Sequence, residues 1–150
     1  ESAEDAAAPD ARPNTLPTGL RVLAADDNRT NRIVLTKMLE GLGAAVTVVE
    51  SGEAARAAAR DARFDVLLLD ISMPGMDGME TLAAIRDEMA EAGRAPAVAI
   101  AVTANAFEHQ VRQYLEAGFD AHLPKPVRSA ELAATIGRLL HGTSVEGAAS

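Results

Sequence analysis

The 150 residues suit one domain of ordinary size, with no room for a second, and a hydrophobic share of 48% supplies ample material for a core. With 22 acidic against 14 basic residues the formal net charge is -8, which argues against nucleic acid as the main partner because phosphate neutralisation needs clustered Lys and Arg. The lack of cysteine excludes a disulfide scaffold and thiolate metal sites. No apolar stretch is long enough to span a bilayer and no signal-peptide pattern leads the chain, so a soluble, cytoplasmic protein is expected. The chain has no initiating Met, which suggests a fragment of something longer or a processed product.

Residues 1–19 are rich in Ala, Pro, Asp and Glu without apolar periodicity and read as a flexible linker. Arg21 to Ala25 forms the first strand, ending at Asp26-Asp27-Asn28. Ile33, Val34, Met38, Leu39 and Leu42 then recur at helical spacing, with Gly41 and Gly43 as the stop. Ala45 to Val49 is β-branched and short, a second strand, and Ser51 caps the Ala-rich helix after it. The run Val66-Leu67-Leu68-Leu69 breaks at Asp70 into a Pro/Gly turn, as a strand buried on both faces does. Asp77-Gly78-Met79-Glu80 has the spacing of a capping box and opens a helix with Leu82, Ile85 and Met89 inward, ended by Gly93. Ala97 to Val102 is a further apolar run ending at Thr103. Phe107, Val111 and Leu115 mark the next helix, with Gly118 at its C-cap. Ala121 to Leu123 is a short last strand, Pro124-Lys125-Pro126 a forced turn, and Leu132, Ile136, Leu139 and Leu140 the stripe of a final helix behind Ser129. The folded domain spans 20–141, and 142–150 is expected to be a disordered polar tail.

About five strands alternating with about five helices is the pattern of a doubly wound α/β domain. Right-handed crossovers place every strand's carboxyl end on one rim, where ligands bind in such sheets. That rim gathers Asp26, Asp27, Asp70, Thr103 and the turn bearing Lys125. Taken singly, each has a plainer role: Asp70 begins a turn, Asp26 and Asp27 precede a helix, Thr103 is a common strand former, and Lys125 is a solvated turn lysine. Their conjunction at successive strand ends favours a site. Three neighbouring carboxylates repel unless they hold protons or a cation, and an all-oxygen set without Cys or paired His suits Mg²⁺, or Mn²⁺ as its substitute. Such a metal and Lys125 would together ease the approach of an anionic phosphoryl group to Asp70.

The succession Asp-Asp-Asn, Leu-Leu-Asp-Ile-Ser-Met-Pro-Gly-Met-Asp-Gly, Val-Thr-Ala-Asn-Ala and Leu-Pro-Lys-Pro-Val resembles two-component receiver domains, from about Arg21 to Leu140. The resemblance implies a flavodoxin-like five-stranded parallel sheet of order 2-1-3-4-5 with helices on both faces. It makes Asp70 the phosphoacceptor, Asp26 and Asp27 the acidic pair serving the metal, Thr103 the switch hydroxyl and Lys125 the phosphate-contacting lysine. It further implies that Ser72 offers its backbone carbonyl to the metal and that a cis bond precedes Pro126. At the family's switch position this chain has His122, where Tyr or Phe is usual, and an imidazole is less apolar and is pH-sensitive. His109 and His141 read as ordinary surface residues.

The resemblance implies a phosphorelay domain that takes phosphate from a histidine kinase or a histidine phosphotransfer protein. Such a domain promotes its own phosphorylation and dephosphorylation and is not otherwise an enzyme. The Asp26-Asp27-Asn28 opening, the Thr103-Ala104-Asn105-Ala106 stretch and the Pro/Ala/acidic linker resemble the receiver of a hybrid histidine kinase, cytoplasmic whether that kinase is soluble or membrane-bound. A stand-alone single-domain regulator is the near rival. A phosphatase of the haloacid-dehalogenase type is remote, because Asp70 is followed by Ile71-Ser72 and not by Asp-x-Asp spacing. An unphosphorylated interaction module fits poorly with a complete set of site residues. The oligomeric state is left open.

Overall fold

A computed structural model describes residues 19–94, 97–104 and 108–149, the last including the backbone but not the side chains of 108–110 and 141–149. Expectations for residues 1–18, for Asn105 to Phe107 and for the His109 and His141 side chains lie outside the described residues. Among the described residues five strands alternate with five helices: β1 (Arg21–Ala25), α1 (Arg29–Gly41), β2 (Ala45–Val49), α2 (Gly52–Asp61), β3 (Val66–Asp70), α3 (Gly78–Glu91), β4 (Val98–Thr103), α4 (Glu108–Glu116), β5 (Ala121–Pro124) and α5 (Ser129–Ala149). All strand pairs are parallel and the sheet order is β2-β1-β3-β4-β5. The doubly wound sheet of order 2-1-3-4-5 is therefore the architecture observed.

The central strand explains this layout. Every residue of β3 is buried, and burial of each of Leu67, Leu68 and Leu69 contributes about 1.5–3 kcal/mol, which demands cover on both faces. Alternation along the strands sends side chains to two separate clusters. Val22, Ala24, Val66, Leu68, Ile100 and Val102 pack with Leu35 and Leu39 of α1 and Leu132 and Ile136 of α5. Leu23, Leu67, Leu69, Ala99 and Ala101 pack with Ala55 and Ala59 of α2, Leu82 and Ile85 of α3 and Tyr114 of α4. Edge strand β2 is only half-buried or exposed along its length.

Local signals place the helix starts. Ser51 accepts the Ala54 N–H at 3.0 Å, and Asp77 and Glu80 form the reciprocal capping box. At three places the structure departs from expectation. On α1 the buried stripe is Leu35, Leu39 and then Leu42, while Ile33 and Val34 are each 47% exposed; the apolar set is wider than the face the sheet covers. On α4 Leu115 is exposed and Tyr114 buried in its place. At the carboxyl end, α5 continues to Ala149 in place of the tail expected from residue 142. The stretch Thr143-Ser144-Val145-Glu146 contains no proline, and extending a helix already nucleated over Leu132 and Ile136 adds a hydrogen bond per residue ordered.

One long-range tie has no counterpart in the expectations. Arg86 of α3 donates to the carbonyls of Gly118 and, at 3.0 Å, Ala97, joining α3 to the approach to β4 and to the turn before β5.

Candidate functional site

The parallel register fixes which strand ends meet. Val22 to Ala25 lie beside Val66 to Leu69, so Asp26, one residue past β1, comes level with Asp70 at the end of β3. Asp70 lies beside Val102, and Thr103 stands one residue farther along β4 next to Pro124 of β5. The chain then turns, and the Lys125 N–H donates to the Thr103 carbonyl at 2.7 Å. Topology thus draws together residues that are up to about a hundred positions apart in sequence.

Carboxylate oxygens of Asp26, Asp27 and Asp70 all lie within 4.8 Å of one another. Asp26 and Asp70 are each 1% exposed, whereas Asp27 faces solvent. The Lys125 ammonium stands 2.8 Å from Asp70 Oδ2 and 3.5 Å from Asp26 Oδ2. Ser72 N–H donates to Asp70 Oδ1 at 3.0 Å. Asp26 Oδ1 accepts the Asn28 N–H at 2.8 Å and the Asn31 side-chain amide at 3.5 Å, and Arg32 holds the Asp26 carbonyl at 2.9 Å. Asn28 also caps α1 by accepting the Asn31 N–H at 3.0 Å.

Burial lifts the Asp70 carboxyl above the ordinary carboxylate range, although Lys125 and the Ser72 N–H act to lower it; Asp26 adds a smaller upward push. Burial alone would lower the Lys125 pKa, yet Asp70, then Asp26, outweigh it and raise it above the usual lysine value. The site is therefore a crowded acidic pair with one cation beside it. The Thr103 hydroxyl is buried and, among the described residues, has no hydrogen-bond partner, a state that ordinarily costs about 1–3 kcal/mol. The Lys125–Pro126 peptide is cis.

Residues 22–137 match the family described as the response regulator receiver domain. The chain belongs to that family. Among its relatives, the sensor protein GacS of Pseudomonas syringae pv. syringae is 40% identical over 116 residues, covering 77% of this chain and 13% of GacS. The sensor histidine kinase AruS of Pseudomonas aeruginosa is 39% identical over 128 residues, 85% of this chain and 12% of AruS. The receiver therefore spans about an eighth of these proteins. A solved receiver domain of a Pseudomonas aeruginosa sensor histidine kinase, with a magnesium ion coordinated in its active-site cleft, superposes with a TM-score of 0.69 at 33% identity, over 81% of this chain and 97% of that one. The Vibrio cholerae chemotaxis protein CheY4 superposes with a TM-score of 0.73 at 28% identity, over 81% and 98%. As a receiver domain the chain is the phosphoacceptor module of a two-component phosphorelay.

Of the residues singled out in the sequence, the structure brings Asp26, Asp27, Asp70 and Lys125 into one cluster, with Thr103 on the adjoining strand end. Ser72 reaches Asp70 through its N–H and its side is exposed. His122 sits back from the cluster, half-buried, next to Ala101 on the strand face that Ala101 shares with Thr103. Asn31 and Arg32 were not anticipated. Their signal was the spacing from Asn28: one turn into a capped helix, a side chain points back at the strand end that precedes the cap.

Proposed function

We propose that Asp70 is the nucleophile of the phosphorelay, taking the phosphoryl group of a phosphohistidine on a histidine kinase or histidine phosphotransfer protein. One observation carries this reading: a buried carboxylate held at both oxygens, by Ser72 N–H and by Lys125, beside two further carboxylates and a buried hydroxyl with no partner among the described residues. An Asp70 oxygen attacks phosphorus, the O–P bond of an acyl phosphate forms, the N–P bond breaks, and the imidazole leaves with its electron pair. The Lys125 ammonium offsets charge on the transferring group, and the Thr103 hydroxyl donates to a phosphoryl oxygen once one is present.

Asp26, Asp27 and Asp70, with the Ser72 carbonyl, are the groups that would hold Mg²⁺, or Mn²⁺ in its place; three oxygens within 4.8 Å and a donor set free of sulfur and imidazole fit a hard cation. When bound, the metal supplies charge neutralisation for the carboxylates and the phosphoryl oxygens. The domain's catalysis is confined to its own phosphorylation and dephosphorylation.

The domain would serve inside a hybrid histidine kinase, as the relatives' names support, and so work in the cytoplasm; among the described residues no helix is long and apolar enough to cross a membrane. In that setting residues 1–19 act as the tether to the rest of the kinase. A cavity of about 140 Å³ beside the site, lined by Asp26, Asn31, Val34, Val102, Lys125 and Val127, together with exposed Ile33 and Val34, gives the phosphodonor an apolar seat near Asp70. His122 would take the switch position at which Tyr or Phe is usual, on the strand face that Ala101 shares with Thr103. Intact-mass measurement after incubation with acetyl phosphate and Mg²⁺ tests the assignment: the wild type gains one phosphoryl mass and Asp70→Asn gains none. Phosphate retained by the variant would sink it.

A further inference from the structure

The turn from Ile71 to Asp77, which follows the phosphoacceptor strand, is held between the first residues of two helices, and both are glycine. At Gly78, opening α3, a Cβ would lie 2.6 Å from the Asp70 carbonyl oxygen and 2.9 Å from the Ile71 Cα. At Gly52, opening α2, a Cβ would lie 2.2 Å from Thr81 Oγ1 and 2.7 Å from the Met76 carbonyl oxygen. Neither glycine has a positive φ, so what these positions require is space and not conformational freedom. The obstructing atoms cannot swing aside. Three are backbone atoms, of Asp70, Ile71 and Met76, and Thr81 is fully buried with its hydroxyl committed to the Asp77 carbonyl at 2.7 Å. The Gly78 N–H also donates to the Ile71 carbonyl at 3.1 Å, which ties the start of α3 to the residue after Asp70.

We infer that Gly52 and Gly78 are positioning residues for the phosphoacceptor: their bare Cα atoms let α2 and α3 grip the turn from two sides and so fix the Asp70 carboxylate against Ser72 N–H and Lys125. The inference rests on the reading of Asp70 as phosphoacceptor. To admit a Cβ at Gly78, the Asp70 carbonyl must retreat by at least about 0.4 Å to reach 3.0 Å, the closest approach that Cβ atoms show. The same peptide unit leads to Ser72, whose N–H bond to Asp70 Oδ1 is 3.0 Å, so the retreat is spent at the site. Misplacement on the ångström scale costs about a hundredfold in rate, and a shift of this size is expected to cost about tenfold.

Three measurements on Gly78→Ala and Gly52→Ala test the idea, with Gly137→Ala as control because a Cβ there meets nothing within 4 Å among the described residues. They are the maximal rate of phosphorylation against acetyl phosphate concentration, the Mn²⁺ dissociation constant from water relaxation, and hydrogen exchange of the Ser72 amide without metal or phosphate. Alanine is the better helix former, so a loss cannot be assigned to weaker helices. Gly78→Ala is expected to keep its circular dichroism spectrum, lose about tenfold in maximal rate, bind Mn²⁺ severalfold more weakly and exchange the Ser72 amide severalfold faster, while Gly137→Ala matches the wild type. A folded Gly78→Ala that matches the wild type in all three overturns the inference. Should Gly78→Ala not fold, Gly52→Ala decides on the same readouts, and failure of both to fold also overturns it, since the glycines would then serve the fold and not the site. A wild type that accepts no phosphate would instead remove the phosphoacceptor reading, and the Ser72 exchange would still judge the glycines.

Discussion

Removing the charge of Asp70 should stabilise the metal-free fold. Asp70 is 1% exposed, and its attraction to Lys125 at 2.8 Å amounts to about 6 kcal/mol at an effective dielectric constant of about 20. Against this stand a desolvation penalty of several kcal/mol for each ion and the repulsion of Asp26. The raised Asp70 pKa says that burial wins. Asp70→Asn keeps the shape and an oxygen for the Ser72 N–H, and leaves Lys125 paired with Asp26 at 3.5 Å. A gain of about 1 kcal/mol is expected, or about 4 °C in Tm. The pH dependence follows from a folded pKa above the unfolded one. The wild type suffers no deficit below the ordinary carboxylate pKa of about 3.9, and the deficit is complete once the pH has risen through the raised folded value. Urea and thermal unfolding in EDTA at pH 7 and at pH 4 should thus show the variant more stable at the first and nearly equal to the wild type at the second. Mg²⁺ at a hundred times its dissociation constant then adds about 2.7 kcal/mol to the wild type and less to the variant, which has lost a ligand. A variant less stable than the wild type in EDTA at pH 7 would refute the reasoning, because it would mean that the Lys125 pair outweighs burial.

Thr103→Val replaces a buried hydroxyl that has no partner among the described residues with a methyl group of the same shape and should raise the stability of the unphosphorylated domain by about 1 kcal/mol, read by urea unfolding, while slowing phosphorylation. Lys125→Ala removes the cation that stands against Asp70 and Asp26, so Mn²⁺ should bind severalfold tighter even as phosphotransfer slows about tenfold; weaker Mn²⁺ binding would contradict this account of the cluster. Arg56 and then Arg60 of α2 hold the Glu88 carboxylate of α3 below its usual pKa. A depressed carboxylate gives stability that is present above the unfolded pKa and lost as pH falls through the folded one. The wild type should accordingly exceed Glu88→Gln in Tm at pH 7, by a margin that shrinks in acid and in high salt.

What the sequence made legible was whatever its own neighbours determine. Continuous apolar runs ending at Asp26, Asp70 and Thr103 marked strands, and helical spacing between them left one doubly wound topology, which brought the strand ends to one rim. Ser51, Asp77 and Glu80 announced their helices because a cap acts over three residues. What it hid depends on contacts distant in the chain. Ile33 and Val34 are as apolar as Leu35, and only the placement of the sheet decides which of them is covered. Arg86 reads as a surface residue of an amphipathic helix until Gly118 and Ala97 are brought to it. Gly52 and Gly78 look like ordinary helix-start glycines, since the backbone that forbids a Cβ at Gly52 belongs to Met76 and the one at Gly78 to Asp70. Residues 142–149 looked like a tail because polarity was read as an end, yet α5 runs through Gly142 and Gly147, and no proline breaks it.

The site is the part of the molecule where local preferences conflict most. Two buried carboxylates repel, a third stands beside them, a lysine is partly stripped of water, and a buried hydroxyl has no partner among the described residues. Each feature costs stability, and the fully buried β3, packed between two hydrophobic clusters, keeps the strand end from relaxing away from them. A cation among the carboxylates and a phosphoryl group on Asp70 would answer each conflict in turn: charge for the carboxylates, an anion for Lys125 and an acceptor for Thr103. If Asp70 carries the phosphoryl group as proposed, the packing of the central strand would turn this electrostatic liability into differential affinity for the phosphorylated state, since a strand free to move would dissipate the strain before any ligand arrived.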